Sequence, residues 1–241
     1  MRTRFGHSIS RILFSGLRSP KLVFRYLAGK DPSGFDLNEI ERVIGIPSVI
    51  LEAGAFNGED TAAFAEFWPR SKIFAFEPVP ELFEKAVTRT SQYAQIKIYD
   101  FALVNKNVDS IELNTFEDVS KPHGSSSILE PSLHKKIAPS VEFNRRLRVP
   151  ARQLDDWYVQ SELKQIDLLW LDLQGAELEV LKSGTKCLMN TRELHIEVSL
   201  RPLYEGAPTF KEVDSFLQGF GFELKKVRIP VLSGNALFIK G

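Results

Sequence analysis

From Ser48 onward, short apolar runs alternate with amphipathic stretches of helical length, and this alternation limits the fold more than any other feature of the chain. Runs such as "VILEA", "KIFAF" and "IDLLWL" are strand-length and apolar almost throughout, as strands covered on both faces must be. Amphipathic stretches between them supply the crossovers that parallel strands require, so the pattern is that of successive β-α-β units in an α/β fold. The spacing predicts strands over 49–53, 72–77, 96–103, 166–172, 193–199, 222–228 and 235–240, and helices over 59–67, 80–91, 176–188 and 209–219. "IPVLSGN" joins the last two strands and is short enough for an antiparallel hairpin. Residues 105–160, with "SIELNTF", "KPHGSSS" and "RVPARQLDDW", follow no such period.

Composition narrows the function classes. The chain has 241 residues, 43% apolar and 26% charged, which suits one globular domain with or without an appendage. Its single cysteine, Cys187, excludes an intramolecular disulfide and a cysteine metal cluster, and is expected to pack in the interior. No apolar run is long enough to span a bilayer, and "ILFSGL" is too short and too close to Arg18 for a signal-peptide core, so the expected compartment is the cytoplasm. Acidic and basic residues balance at 31 each, which gives no electrostatic footprint for nucleic acid. Within that balance residues 1–30 carry Arg2, Arg4, Arg11, Arg18, Lys21, Arg25 and Lys30 with no carboxylate. Ile9, Leu13 and Leu17, then Val23, Phe24 and Leu27, fall at helical spacing on either side of Pro20. We therefore expect a basic amphipathic helical segment over 1–47 and a separate domain over 48–241. The segment would pack on the domain or on a second subunit, and peripheral contact with an anionic membrane surface is the alternative.

Two strand tips carry the first chemical signal. "VILEAGAFNG" runs from an apolar strand into Glu52, Gly54 and Gly58, and "IFAFEPVP" ends its strand at Glu77. Ligands of open α/β sheets sit beyond the carboxyl ends of the strands, where glycines admit the backbone and a helix begins. A carboxylate at the second tip can accept both hydroxyls of a ribose, which points to an adenosine-containing ligand. "GAFNG" lacks the G-x-G-x-x-G series that holds a dinucleotide pyrophosphate, and an acidic residue before the glycines would repel phosphates but suit a cationic methionine moiety. S-adenosylmethionine therefore fits better than NAD. A tight strand-to-helix turn with no ligand is the alternative for this motif alone.

The second half adds "IDLLWLDLQGAELEVLKSG", a strand with Asp172 at its tip, a turn at Gly175, and a helix with Glu177 in its first turn. Taken with "LEAGAFNGEDT", "FAFEPVP", "LHIEVS" and "GNALFIKG", this segment resembles the FkbM-type methyltransferase family across roughly residues 48–240. The resemblance implies a Rossmann-like class I methyltransferase fold, with a mostly parallel seven-stranded sheet that ends in an antiparallel hairpin and has helices on both faces. It also implies S-adenosylmethionine as methyl donor. On that resemblance Glu52, Gly54 and Gly58 would line the methionine end of the cofactor, with Asp60 and Thr61 at the start of the next helix. Glu77 would bind the ribose, with Pro78 shaping the turn, and Asp100, Phe101 and Ala102 would flank the adenine. Asp172 and Gln174 would border the reaction site. The chain departs from the commonest family pattern at Glu52, at Phe56 and in "LWLDLQG", which bears on substrate rather than on cofactor.

Methyl transfer to an alcohol requires in-line alignment and a way to remove the hydroxyl proton. Asp172, His195 and Glu197 lie near neighbouring strand tips and are the expected catalytic set, with His195 as a base oriented by a carboxylate. A divalent ion held by Asp172 and Glu197 is the alternative that is not favoured, because these residues offer few protein ligands. His195 as a hydrogen-bonded core residue and Glu177 as a carboxylate at a helix N-terminus are the structural alternatives. "KPHGSSS", with His123, suits either a turn or a loop that closes over a ligand. The resemblance implies O-methylation of a hydroxyl on a sugar, glycan or secondary metabolite, so the expected partner is a small-molecule or glycan acceptor and not nucleic acid. Trp68, Trp157 and Trp170 are candidates for stacking on a sugar or for the core. A noncatalytic nucleoside-binding domain stays open as a second function, ahead of a nucleotide-dependent oxidoreductase.

Overall fold

The computed structural model describes residues 37–115, 126–130, 132–133 and 144–241. The basic segment 1–30 and His123 lie outside them. In chain order the elements are α1 (Leu37–Ile44), β1 (Val49–Ala53), α2 (Glu59–Phe67), β2 (Lys72–Phe76), α3 (Pro80–Thr90) and β3 (Ile96–Tyr99). There follow β4 (Ala102–Leu103), β5 (Ser110–Thr115), β6 (Arg145–Arg152), α4 (Leu154–Gln160), β7 (Ile166–Leu171), α5 (Glu177–Ser183) and α6 (Thr185–Met189). The chain closes with β8 (Thr191–Ser199), α7 (Phe210–Gln218), β9 (Phe222–Arg228) and β10 (Ser233–Lys240).

Seven strands form one sheet in the order β3-β2-β1-β7-β8-β10-β9. The pairs β3–β2, β2–β1, β1–β7 and β7–β8 are parallel, and β10 runs antiparallel between β8 and β9. This is the expected mostly parallel sheet with a terminal hairpin. Alternate residues of β1 supply opposite faces, as the two-residue strand period demands. Ile50 packs with Ile40 of α1, Phe64 of α2 and Trp68 just after it, whereas Leu51 and Ala53 pack with Leu154 and Trp157 of α4, Leu181 of α5 and Leu217 of α7. Helices thus cover both faces. Trp68 and Trp157 are core residues, 1% and 3% exposed, and not sugar platforms. Cys187 is also fully buried, and burial pushes its thiol up to about 12.

The elements depart from the expected set in several places. The strand expected over 96–103 divides, because β3 stays in the main sheet while β4 leaves it to pair with β6 in a second, three-stranded sheet of order β4-β6-β5. In β6, Val149 and Ala151 point inward and Arg146, Arg148, Pro150 and Arg152 outward, an alternation set in the irregular region. The helix expected over 176–188 breaks at Gly184, where a Cβ would sit 2.4 Å from Leu154 Cδ2, so α4 packs directly against the break. Residues 37–44 of the expected N-terminal segment form α1 on the sheet: Glu41 accepts a 2.7 Å bond from the Trp68 indole, and Glu39 pairs with Lys226 and Arg228 at 2.7 and 3.0 Å.

At the carboxyl ends of the strands the backbone is drawn tight. Gly54 and Ala55 N–H groups both donate to the Phe76 carbonyl at 3.1 and 3.0 Å, and the Asp172 N–H donates to the Ala53 carbonyl at 3.0 Å. Gly54 has φ +96°, and a Cβ there would lie 2.0 Å from the Asp172 carbonyl oxygen. Just behind it Glu52, 1% exposed, accepts a 2.6 Å bond from the Thr61 hydroxyl and ties β1 to α2. Burial pushes the Glu52 carboxyl up to about 8.

Two outcomes follow from this packing. Gly54→Ala combines a left-handed backbone with a backbone clash, and should lower unfolding free energy by at least about 2 kcal/mol in a denaturant titration. The buried carboxyls should also give stability an alkaline slope. Burial raises Glu52 and Glu77 to about 8 and Glu177 and Glu193 to about 7, from an ordinary 4.5. Between 4.5 and 8 the folded state therefore binds more protons than the unfolded chain, and stability falls as pH rises. His195, lowered by burial to about 3, acts in the opposite sense up to its ordinary 6.5, one group against four. The melting temperature should drop from pH 5 to pH 8, and Glu52→Gln should flatten that drop; an equally steep drop in the variant would contradict the assignment.

Candidate active site

A cavity of about 220 Å³ opens at the carboxyl ends of β1, β2 and β7. Its first wall is the turn after β1, Gly54 to Asn57, with Glu59 and Asp60 at the start of α2. The second wall is Phe76, Glu77 and Pro78 at the end of β2, with Leu82 of α3. Phe101, Ala102 and Leu103 make the third with Leu113 of β5 and Ser126, Ser127 and Ile128, so the small sheet and the main sheet share the site. Asp172, Leu173 and Ala176 close it beyond β7.

Glu77 is the polar anchor of this cavity. Its Oε2 accepts the Phe56 N–H and its Oε1 the Val79 N–H, both at 2.9 Å, which fixes the carboxylate between two turns. Each oxygen keeps a second acceptor position, so the group fits a pair of neighbouring hydroxyls. Burial in the cavity wall pushes its pKa up to about 8. The opposite end is apolar: Phe101 lies 5.3 Å from Phe76, centroid to centroid, and the Arg152 guanidinium sits over the Phe101 ring at 4.9 Å. An aromatic base at Phe101 to Leu103 and a ribose at Glu77 match this division of polar and apolar wall.

Asp172 stands exposed where β7 meets the cavity, inside a hydrogen-bonded turn. The Gln174 amide nitrogen donates to Asp172 Oδ1 at 2.7 Å and to Glu197 Oε2 at 3.1 Å, and the Tyr204 hydroxyl donates to Gln174 Oε1 at 3.1 Å. Glu177 Oε1 accepts the N–H groups of Leu173 and Gly175 at 2.8 and 3.1 Å. Burial, with repulsion from Asp172, pushes Glu177 up to about 7. Oxygens of Asp172, Glu177 and Glu197 lie within 4.8 Å of one another, a spacing open to a hard divalent cation.

The structure separates the expected site residues. Gly54, Asp60, Glu77, Pro78, Phe101, Ala102 and Asp172 line the cavity. Glu52 and Thr61 do not; they are buried and bonded to each other. Gly58 caps α2 with φ +77°, and a Cβ there would lie 2.9 Å from Ala86 Cα, so this glycine serves the α2–α3 contact and not a ligand. Asp100 points to solvent off the wall, and Gln174 bridges carboxylates at the mouth. His195 as the general base is the largest correction. It shares a strand face with Glu197 but lies one pleat deeper, 2% exposed, with its ring 3.5 Å from and nearly parallel to that of Trp170. Lowered to about 3, it is a poor proton acceptor and lies off the cavity wall. Trp170, stacked on His195 and edge-on to Phe64, is likewise committed to packing. Leu82, Leu113 and Ser126 to Ile128 reach the site from elements distant in sequence, and only the Gly-Ser loop hinted at them.

Comparison with known proteins agrees with this geometry. The methyltransferase FkbM domain model matches residues 52–224. The 2-O-methyltransferase NoeI of Sinorhizobium fredii is 31% identical over 174 residues, 71% of this chain and 72% of that protein. Methyltransferase sdnD of Sordaria araneosa is 23% identical over 211 residues, 77% of this chain and 78% of that protein. Among solved structures, magnesium protoporphyrin IX methyltransferase (ChlM) from Synechocystis PCC 6803 with bound SAM shares the fold at a TM-score of 0.50 and 9% identity, over 99% of this chain and 92% of that one. Sheet order, strand-tip cavity and family match converge: this chain is a member of the FkbM methyltransferase family.

Proposed function

We infer that the protein transfers the methyl group of S-adenosylmethionine to a hydroxyl oxygen of a sugar, glycan or secondary-metabolite acceptor. The observation that carries this inference is a single cavity with the anchored Glu77 carboxylate on one wall and the exposed Asp172 at its mouth. Glu77 would hold the ribose hydroxyls, Phe101 and Ala102 the adenine, and Gly54 with Asp60 the methionine end. When bound, the cofactor supplies an electrophilic methyl group on a sulfonium, which leaves as a neutral thioether. The chain's own task is to align the acceptor hydroxyl and take its proton, and the position of Asp172 on the cavity wall supports it as the proton acceptor. The relative named as a 2-O-methyltransferase supports oxygen as the methylated atom.

A metal-free route is favoured, because each carboxylate of the trio already accepts N–H donors: Asp172 and Glu197 from the Gln174 amide, and Glu177 from two N–H groups of its own turn. Among the described residues the cavity wall begins at Gly54. For the basic N-terminal segment the reading is contact with the domain, a second subunit or an anionic membrane surface. Among the described residues no helix is long and apolar enough to cross a membrane.

S-adenosylhomocysteine should raise the melting temperature by mass action, and NAD should not. Glu77→Ala should lose most of that shift, measured against its own unliganded midpoint, since the hydroxyls lose their buried acceptor, about 0.5 to 1.5 kcal/mol for each hydrogen bond. A shift with NAD alone would overturn the methyl-donor assignment. In a methyl-transfer screen over glycans and hydroxylated metabolites, Asp172→Asn should lower kcat by about 10² to 10⁴ and leave S-adenosylhomocysteine affinity intact. Activity that disappears with a chelator and returns with magnesium would instead place a metal at the mouth.

A further inference from the structure

Gln174 is one of three non-glycine residues with positive φ among the described residues, at +52°. Such a conformation is unfavourable for a residue with a Cβ, and it persists here because the surroundings fix it. The Ser127 hydroxyl donates to the Gln174 carbonyl at 2.9 Å, and the Glu177 carboxylate holds the N–H groups on either side. Gly175 follows at φ +97°, where a Cβ would lie 3.1 Å from the Tyr204 ring and 3.0 Å from Ala207. The chain at this turn gives up side-chain volume next to Gln174 to bring Tyr204 close, yet keeps a long amide where glycine would be unstrained.

That amide has a specific task. Asp172 and Glu197 are like charges whose oxygens approach within 4.8 Å, and Gln174, a neutral side chain with two N–H groups on one nitrogen, stands between them. Turned over, it would present its oxygen to both carboxylates, so its orientation is set by chemistry. The carbonyl end then needs a donor, and Tyr204, 1% exposed, supplies it. We propose that Tyr204 is a positioning residue for methyl transfer: its hydroxyl locks the Gln174 amide, and the locked amide holds the Asp172 carboxylate toward the acceptor at the cavity mouth. This assignment rests on the function proposed above, with Asp172 as the group that meets the acceptor.

The test compares wild type, Tyr204→Phe, Gln174→Asn and the double variant. Asparagine tolerates the left-handed backbone but is too short to bridge the two carboxylates. Side-chain amide exchange is read by ¹H–¹⁵N NMR, with the Gln174 pair assigned by its loss in Gln174→Asn. Tyr204→Phe should speed exchange of that pair by about tenfold or more. With S-adenosylmethionine labelled in its methyl group and a panel of methyl glycosides as acceptors, each single variant should lower kcat by about tenfold. KM for the cofactor and affinity for S-adenosylhomocysteine should stay within about twofold, and the double variant should be no slower than Gln174→Asn alone. Multiplying losses, a loss confined to cofactor KM, or unchanged amide exchange would each overturn the proposal. If Tyr204→Phe fails to fold, Gln174→Asn carries the kcat prediction, and unchanged kcat in that variant overturns it. Absence of transfer by wild type to every acceptor would count against the methyltransferase function, while amide exchange would still decide whether Tyr204 locks Gln174.

Discussion

Three strand ends meet at Gly54, and the site depends on how closely they meet. β1 turns at this residue with its N–H bonded to β2 through the Phe76 carbonyl, while the carbonyl of Ala53 receives the N–H of Asp172 from the end of β7. No side chain fits between the two backbones, since a Cβ would overlap the Asp172 carbonyl at 2.0 Å. The same contact that closes the parallel sheet therefore sets Asp172 beside the turn that lines the cavity. Glu77 completes the arrangement by pinning the β1 turn through Phe56 and its own turn through Val79. Fold and site share these few backbone bonds, so a change at Gly54 or Glu77 alters both.

Burial sorts the acidic residues into separate jobs. Glu52 is sealed under α2 with its hydroxyl partner Thr61 and, raised to about 8, is largely a neutral acid near pH 7. Glu177 is spent on the N–H groups of its own turn. Glu77 lines the cavity and Asp172 reaches solvent at the mouth, with Gln174 between Asp172 and Glu197. Carboxylates near the strand ends thus become a buried strut, a turn clamp, a cavity wall and a mouth carboxylate, according to their depth and the elements that cover them.

The main sheet was legible because its strands are covered on both faces and read as continuous apolar runs. The second sheet was not, because its central strand β6 is a mixture of Arg and apolar residues with Pro150 inside it, and its inward period is carried only by Val149 and Ala151 with the half-buried Leu147. Of the candidate site, Glu77, Phe101, Ala102 and Asp172 were legible as strand-end residues of a parallel sheet. Tyr204 and Ser127 were not, since each reaches the β7–α5 turn only through the tertiary fold. His195 shows the limit of strand parity. The alternation placed it correctly on the face of Glu197, but parity says nothing of depth, and one pleat further down the ring belongs to the layer of Trp170 and Phe64.

The most direct test is a crystal structure of the full chain with S-adenosylhomocysteine. The ribose hydroxyls should lie within hydrogen-bond distance of both Glu77 oxygens, the base against Phe101 and Ala102, and the sulfur should face Asp172. A product bound away from Glu77, or with its sulfur turned from Asp172, would contradict the placement of donor and acceptor on which the proposed function stands.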